Sequence, residues 1–150
     1  MRDIRFIRWL MKESPSLETQ LQRWINEAVT FDRGTCEYIS GVQLEEGEIR
    51  VLLRQYTNRY PADCLTICAV DLPESLRNRG WFKSFLVRCC QLNPWHDVII
   101  EEVKNPHLLG FCQRNDFTIL DDFYPDTFII NHQKVLSMSV TPLPSFHASG

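Results

Sequence analysis

The arginine and glycine residues between positions 76 and 82 have the types and spacing that bind phosphate groups. Arg79 directly precedes Gly80 in this loop, and Arg77 lies two residues before Arg79. Arginine binds phosphate oxygens through charge-assisted hydrogen bonds, and glycine has no Cβ to keep an anion away from the backbone. The expected chemistry at this loop is therefore anion binding, and an ordinary turn with solvated arginines is the alternative.

The sequence around this loop predicts a strand that enters it and a helix that leaves it. Residues 64–70 have the apolar and β-branched content that is typical of a buried strand. Within residues 81–92, Phe82, Phe85, Leu86 and Cys89 have the spacing of one helical face. Because the first N–H groups of a helix have no partner within it, and its dipole is positive there, the loop lies where anions are attracted.

A second informative segment, residues 98–117, is predicted to form a strand, a helix and a strand in that order. Asn105 stands where an N-cap residue is preferred, and Pro106 stands at the first helical position. The N–H at this position would have no partner within the helix, so proline loses nothing by lacking one, and its fixed φ already suits a helix. The sequence therefore predicts a helix that begins at Pro106.

These two segments, in this order, resemble the two sequence motifs of the GNAT superfamily of acetyltransferases. The first motif is Gln/Arg-x-x-Gly-x-Gly/Ala, and Arg77, Gly80 and Phe82 occupy its three defined positions. The second motif has the form Asn-x-x-Ala-x-x-Phe/Leu-Tyr-x-Lys-x-Gly-Phe. The residues that match it are Asn105, Phe111, Arg114 and Phe117. The resemblance covers roughly the middle third of the chain.

Three residues depart from the pattern of the family. Phe82 replaces a small residue, Cys112 stands where the family often has a tyrosine, and Asp116 replaces the glycine before the closing phenylalanine. At the first turn of a helix, phosphate contacts come from backbone N–H groups. The side chain of Phe82 is therefore expected to turn into the core without preventing coenzyme binding.

The resemblance implies a mixed α/β fold with a central, mostly antiparallel sheet that is flanked by helices and splayed at a coenzyme cleft. It implies acetyl-CoA as the acyl donor and direct acetyl transfer to an amine. Backbone groups of Val70 and Leu72 would pair with the pantetheine arm, and N–H groups from Asn78 to Phe82 would hold the pyrophosphate. The full set of expected coenzyme-binding residues is Val70, Leu72, Arg77, Asn78, Arg79, Gly80, Trp81, Phe82 and Asn105.

Acyl transfer from a thioester to an amine needs a base for the amine and a proton for the departing thiolate. Glu101 and Glu102 are the candidates for the base, because strand alternation would send one of them to each face. We take Glu102 as the expected catalytic base. Cys112 is the expected proton donor, since a thiol can protonate a thiolate. A buried small side chain in a helix is the alternative for this cysteine.

Length and composition limit the class of protein. The 150 residues, with 44% hydrophobic residues, predict a single domain over residues 1–140 followed by a flexible tail at 141–150. A net charge of −3 argues against general nucleic-acid binding, and no apolar stretch is long enough to span a bilayer. The six cysteines form no paired C-x-x-C elements, which predicts reduced thiols, a cytoplasmic location and no metal site.

The remaining segments predict the flanks of the domain. A strand is expected at residues 4–9, a helix from Ser16, a hairpin at 36–42 and 48–56, and strands at 118–120, 126–130 and 135–140. Residues 131–134 would form the turn of a closing hairpin. The apolar stripe expected in the helix is Leu17, Leu21, Trp24, Ile25 and Ala28.

The partners follow from the same resemblance. We expect an amine on a small molecule or on a protein as the acceptor, and an exposed edge of the last hairpin suits a homodimer. A different class of function also fits the missing tyrosine. In that alternative the chain is a catalytically inert binding or inhibitory module with the GNAT fold, of bacterial or phage origin.

Overall fold

The computed structural model describes residues 16–30, 40–56, 60, 62–77 and 80–138. Several predictions concern residues outside these ranges. They are the strand at 4–9, the first part of the hairpin at 36–39, the tail at 141–150, and the loop residues Asn78 and Arg79.

The described residues form one mixed α/β arrangement, in which a six-stranded sheet is flanked by helices. The strands are β1 (Ser40–Glu46), β2 (Ile49–Tyr56), β3 (Cys64–Asp71), β4 (Asp97–Ile100), β5 (Thr118–Asp121) and β6 (Tyr124–Ile129). The helices are α1 (Leu17–Thr30), α2 (Trp81–Leu92), α3 (Pro106–Arg114) and α4 (His132–Leu136). No helix in this part of the chain has the length and apolar content needed to cross a membrane.

The strands follow the order β1-β2-β3-β4-β6-β5 across the sheet. Only β3 and β4 are parallel, and every other neighbouring pair is antiparallel. A parallel pair needs a long connection, and α2 supplies it between β3 and β4. The predicted fold class, a mostly antiparallel sheet with flanking helices, is confirmed.

One large apolar core joins a face of the sheet to the helices. The predicted stripe of α1 is entirely buried, which confirms its role in the core. Gln20 fixes α1 to the end of β1, because its side chain donates to the Glu45 carbonyl at 2.6 Å and accepts from the Glu45 N–H at 2.9 Å. These two bonds satisfy a buried amide and set the position of the helix on the sheet.

The sheet opens between β3 and β4, which we call the fork. Pairing between these strands ends at Ile67 and Ile100, where the N–H of Glu101 donates to the Ile67 carbonyl at 3.0 Å. Beyond this point β3 continues to Asp71 alongside β2. The chain after β4 turns towards β6 instead, and the Val103 N–H donates to the Asp126 carbonyl at 2.7 Å. The predicted splay is therefore confirmed.

The structure corrects two predictions about strands. Residues 132–136 form α4 and not a strand, because the Asn131 side chain caps the helix by accepting from the Lys134 N–H at 3.1 Å. The hairpin that closes the sheet is instead β5 and β6. In addition, β4 ends at Ile100, so Glu101 and Glu102 do not alternate along a strand as expected.

Replacement of Asp116 by glycine is expected to stabilise the protein. Asp116 follows α3 with a φ of 61°, in the left-handed region that glycine adopts most easily. We expect the free energy of unfolding to rise by about 0.5–1 kcal/mol, measured by urea denaturation. Asp122→Gly is the control, because Asp122 is also exposed but does not have a positive φ. Equal stabilisation by both substitutions would contradict this explanation.

Candidate functional site

The loop between β3 and α2 ends in a glycine that opens the helix. A 3₁₀ turn at Glu74–Leu76 follows β3, and Gly80 adopts φ 80° and ψ 8° at the N-cap of α2. The Gly80 carbonyl accepts from the Ser84 N–H at 3.0 Å. No residue in the described ranges accepts a hydrogen bond from the N–H groups of Trp81, Phe82 or Lys83. The positive end of α2 therefore presents three amide donors at this loop.

Arg77 is exposed and is tied to its own loop. Its Nε donates to the Leu72 carbonyl at 2.9 Å, and its N–H donates to the Glu74 carbonyl at 3.2 Å. The Leu72 carbonyl, which was expected to pair with the pantetheine arm, therefore already accepts a bond from the protein. Val70 lies partly buried beside the core, on the part of β3 that extends past the fork.

Aromatic residues pack behind the start of α2. The Phe82 ring lies edge-on to Phe111, with centroids 6.4 Å apart, and Phe111 lies edge-on to Phe117 at 5.9 Å. Phe82 is thus packed against the core as predicted, and this links the start of α2 to α3. Trp81 stacks on Phe85 at 5.1 Å and is buried. These contacts hold the side chains of the first turn while leaving its backbone N–H groups to the loop.

Asn105 caps α3 as predicted. Its side-chain oxygen accepts from the N–H groups of His107 at 2.8 Å and Leu108 at 3.4 Å, and Pro106 takes the first helical position. The prediction that α3 begins at Pro106 is confirmed. Its side-chain oxygen is thus used to cap the helix. The expected role of Asn105 in coenzyme binding is not tested by this structure and stays a prediction.

Cys112 lies in the apolar core and has no exposed surface. Burial raises the pKa of its thiol to about 11. Burial also raises the pKa of Cys64 to about 11 and that of Cys90 to about 12. These thiols remain protonated at neutral pH, and the surroundings of Cys112 match the alternative of a buried small side chain.

Glu102 is exposed and lies just beyond the end of β4. Its φ is 49°, which is an uncommon conformation for a residue with a Cβ, and its N–H donates to the Thr127 hydroxyl at 3.3 Å. This backbone turn directs the chain away from β3. The position of Glu102 thus shapes the fork, while its carboxylate points to no described hydrogen-bond donor.

Glu101 lies at the closed end of the fork with a cluster of polar side chains. Its carboxylate accepts a hydrogen bond from the Tyr60 hydroxyl. Tyr60 packs edge-on against Tyr56, with ring centroids 5.6 Å apart. The Nη1 of Arg54 donates to the Tyr56 hydroxyl at 3.4 Å. We call Arg54, Tyr56, Tyr60, Cys68 and Glu101 the fork cluster.

The electrostatics of Arg54 show that these groups act on one another. The hydrogen bond to Tyr56 raises the pKa of Arg54 most, and partial burial opposes it. Electrostatic interactions with Tyr56, Cys68 and Glu101 raise the pKa further. Arg54 therefore stays charged, within electrostatic range of the Glu101 carboxylate. An acid, a cation, two phenols and a thiol share one small region.

Cys68 occupies a β-bulge at the same place. Leu53 pairs with Ile67 and Leu52 pairs with Ala69, so Cys68 is the extra residue of β3. Bulges often occur next to active sites, where they redirect a strand. The bulge follows directly after Ile67. The carbonyl of Ile67 accepts the hydrogen bond from the backbone N–H of Glu101. The bulge and the backbone of Glu101 therefore both lie at the closed end of the fork.

Sequence reasoning did not single out Arg54, Tyr56 or Tyr60. Strand alternation could have placed Arg54 and Tyr56 on one face of β2. Tyr60 lies between the predicted strands at 48–56 and 64–70, and its partner Glu101 is 41 residues further along the chain. No local pattern reports a contact of that kind.

Comparison with known proteins gives only distant similarities. No protein-family model and no curated protein sequence matches the chain. A mutant AtaT toxin bound to the C-terminus of the antitoxin AtaR is similar in structure, with a TM-score of 0.45, 13% identity and coverage of 58% of this chain. The KacTA–DNA complex has a TM-score of 0.42 and 12% identity, over 61% of this chain and 72% of that chain.

The alignment with AtaT spans 60% of that chain, which is less than two thirds of its length. A functional assignment for the present protein therefore depends on the geometry of its own fork and loop.

Proposed function

We propose that this protein is a GNAT-type N-acetyltransferase that takes acetyl-CoA as acyl donor and transfers the acetyl group directly to an amine. The fork is the observation that carries this proposal. Its β3 arm leads to the amide donors of α2, and its closed end holds the carboxylate of Glu101. A long donor with phosphates at one end and a thioester at the other suits this arrangement.

The residues at the fork fit such a donor. From Ala69 to Asp71, β3 has no strand on the side that faces β4 within the described structure, so its backbone groups can pair with an extended arm. The N–H groups of Trp81, Phe82 and Lys83 suit a diphosphate, and Arg77 adds positive charge. When bound, acetyl-CoA supplies the acetyl group and a thiolate leaving group.

In this proposal Glu101, and not Glu102, is the base. Glu101 lies at the closed end of the fork, whereas the exposed Glu102 lies where the chain has already turned away. The carboxylate of Glu101 accepts a proton from the ammonium group of the acceptor, which frees the nitrogen lone pair.

The buried Cys112 has no part in this scheme. A free thiol has a pKa of roughly 8.5, so a thiolate leaves readily near neutral pH and can take its proton from water. Loss of the family tyrosine is therefore compatible with acetyl transfer.

Direct transfer predicts that Cys68→Ser retains activity. Cys68 is the thiol closest in sequence to the closed end of the fork, and an acyl-enzyme mechanism would need such a nucleophile. We expect the kcat of this variant to stay within about twofold of the unchanged protein, because direct transfer needs no nucleophile from the enzyme; serine is a poor substitute for a nucleophilic thiol, so an acyl-enzyme mechanism would lose activity instead. Intact-protein mass spectrometry after incubation with acetyl-CoA should show no acetylated enzyme. An acetyl adduct that disappears in Cys68→Ser, together with loss of activity, would contradict direct transfer.

The central experiment has two parts. Calorimetry measures the binding of acetyl-CoA and of coenzyme A, and we expect saturable binding with one site. Labelled acetyl-CoA is then incubated with the protein and with fractionated cell extract, and transferred label is located in small molecules or in proteins. Absence of binding at millimolar coenzyme would refute the proposal.

The burial of Cys112, at the position where the family often has a tyrosine, favours one second candidate. In this candidate the chain is a catalytically inert binding or inhibitory module with the GNAT fold. Coenzyme binding without any label transfer would support it. For either function we expect a cytoplasmic location, where the free cysteines Cys64, Cys68, Cys89, Cys90 and Cys112 would stay reduced.

A further inference from the structure

We propose that Tyr60 is a positioning residue for acetyl transfer, which orients the Glu101 carboxylate at the closed end of the fork. This inference rests on the proposed function and extends it to a residue outside both sequence motifs. Tyr60 lies in the connection between β2 and β3, far in sequence from the loop and from α3.

The contact between the two side chains carries the inference. The Tyr60 hydroxyl donates to Oε2 of Glu101 in a partly buried environment. A hydrogen bond from a hydroxyl to a carboxylate is charge-assisted, and such bonds are short and strongly directional. The backbone turns at Glu102, directly after Glu101, and the bond from Tyr60 links the Glu101 side chain to the connection between β2 and β3.

Tyr60 is itself held in place. Its ring packs edge-on at 89° against Tyr56, which is 2% exposed, and it borders the small apolar cluster of Tyr56, Cys64 and Ile99. The Tyr56 hydroxyl in turn accepts from Arg54. A chain of contacts therefore runs from Arg54 on β2 through two phenol rings to the Glu101 carboxylate.

This arrangement defines what each group does in the proton step. An N–H bond of the acceptor ammonium breaks, an O–H bond forms on Glu101, and the nitrogen keeps the electron pair that attacks the acetyl carbon. Tyr60 neither gains nor loses a proton. By bonding to Oε2 it restricts the orientations open to the carboxylate.

A double-mutant cycle tests whether Tyr60 acts through Glu101. Tyr60→Phe keeps the ring and its contact with Tyr56 and removes only the hydroxyl. We expect kcat to fall about tenfold, with the Kd for acetyl-CoA unchanged, because one charge-assisted bond is lost. In the Glu101→Gln background, the same substitution should change kcat by less than about twofold. Tyr124→Phe, on the exposed β5–β6 hairpin, is the matched control and should have no effect.

A second measurement needs no activity. In the coenzyme-free protein, proton NMR should show a slowly exchanging hydroxyl proton that is absent in Tyr60→Phe and shifted in Glu101→Gln. An unchanged signal in both variants, or an equal loss of kcat in both backgrounds, would overturn the role of Tyr60 while leaving acetyl transfer intact. A wild-type protein that neither binds acetyl-CoA nor transfers label would overturn the proposed function and this inference together.

Discussion

Glu101→Gln is expected to lower kcat by about 10²- to 10⁴-fold, the usual contribution of a general base. Glutamine has nearly the same size and can still accept a bond from Tyr60, but it cannot take a proton from an ammonium group. Coenzyme binding should be unchanged, because the phosphate loop is at the other end of the fork. Steady-state kinetics with calorimetry of acetyl-CoA binding measures both quantities.

Glu102→Gln is the matched control for this prediction. It removes the same charge from the adjacent residue, whose side chain is exposed and lies past the turn. Its kcat should stay within about twofold, since surface substitutions away from the chemistry have small effects. If Glu102→Gln were the more damaging change, the base expected from the sequence would be correct and the assignment to Glu101 would be wrong.

Gly80→Val is expected to weaken acetyl-CoA binding at least about a hundredfold, which corresponds to the loss of one or two charge-assisted hydrogen bonds. At a φ of 80°, valine strains the backbone by about 1–2 kcal/mol, so the loop should relax away from the geometry that presents the amides of α2. A Cβ on Gly80 would meet no described atom within 4 Å, so the loss would not come from a clash with the core. Calorimetry measures the change in Kd.

Gly47→Val separates backbone strain in general from strain at the phosphate loop. Gly47 has a φ of 60° in the turn between β1 and β2, remote in sequence from α2. The Gly47→Val substitution should destabilise the protein to a similar extent as Gly80→Val and leave the Kd for acetyl-CoA unchanged. Equal coenzyme binding by Gly80→Val and Gly47→Val would remove the loop from the proposed site.

The local parts of this fold were predictable because short stretches of sequence specify them. The helix at Trp81–Leu92 has the predicted bounds, since an apolar face follows directly after a glycine. The start of α3 follows from Asn105 and Pro106, whose preferences at a helix start are strong. Asp116 was recognised as a substitute for glycine, and it does occupy a left-handed conformation.

The parts that could not be predicted depend on tertiary contacts or on uncommon backbone conformations. The end of β4 was misplaced because glutamate at position 102 gives no sign of a positive φ. The sequence predicts a strand at residues 135–140, but the cap at Asn131 favours a helix at residues 132–136. The bond between Tyr60 and Glu101 joins distant segments, so the position of the acid at the fork became visible only in three dimensions.

The divergence of β3 from β4 also leads to an expectation about the behaviour of the protein in solution. Within the described structure, the segment from Ala69 to Asp71 is a sheet edge in the interior of the strand order, with backbone donors and acceptors facing the gap. Such edges are templates on which another polypeptide can add a strand and begin aggregation. The acyl donor that we propose for the gap would cover this edge, and would then also protect the protein from self-association.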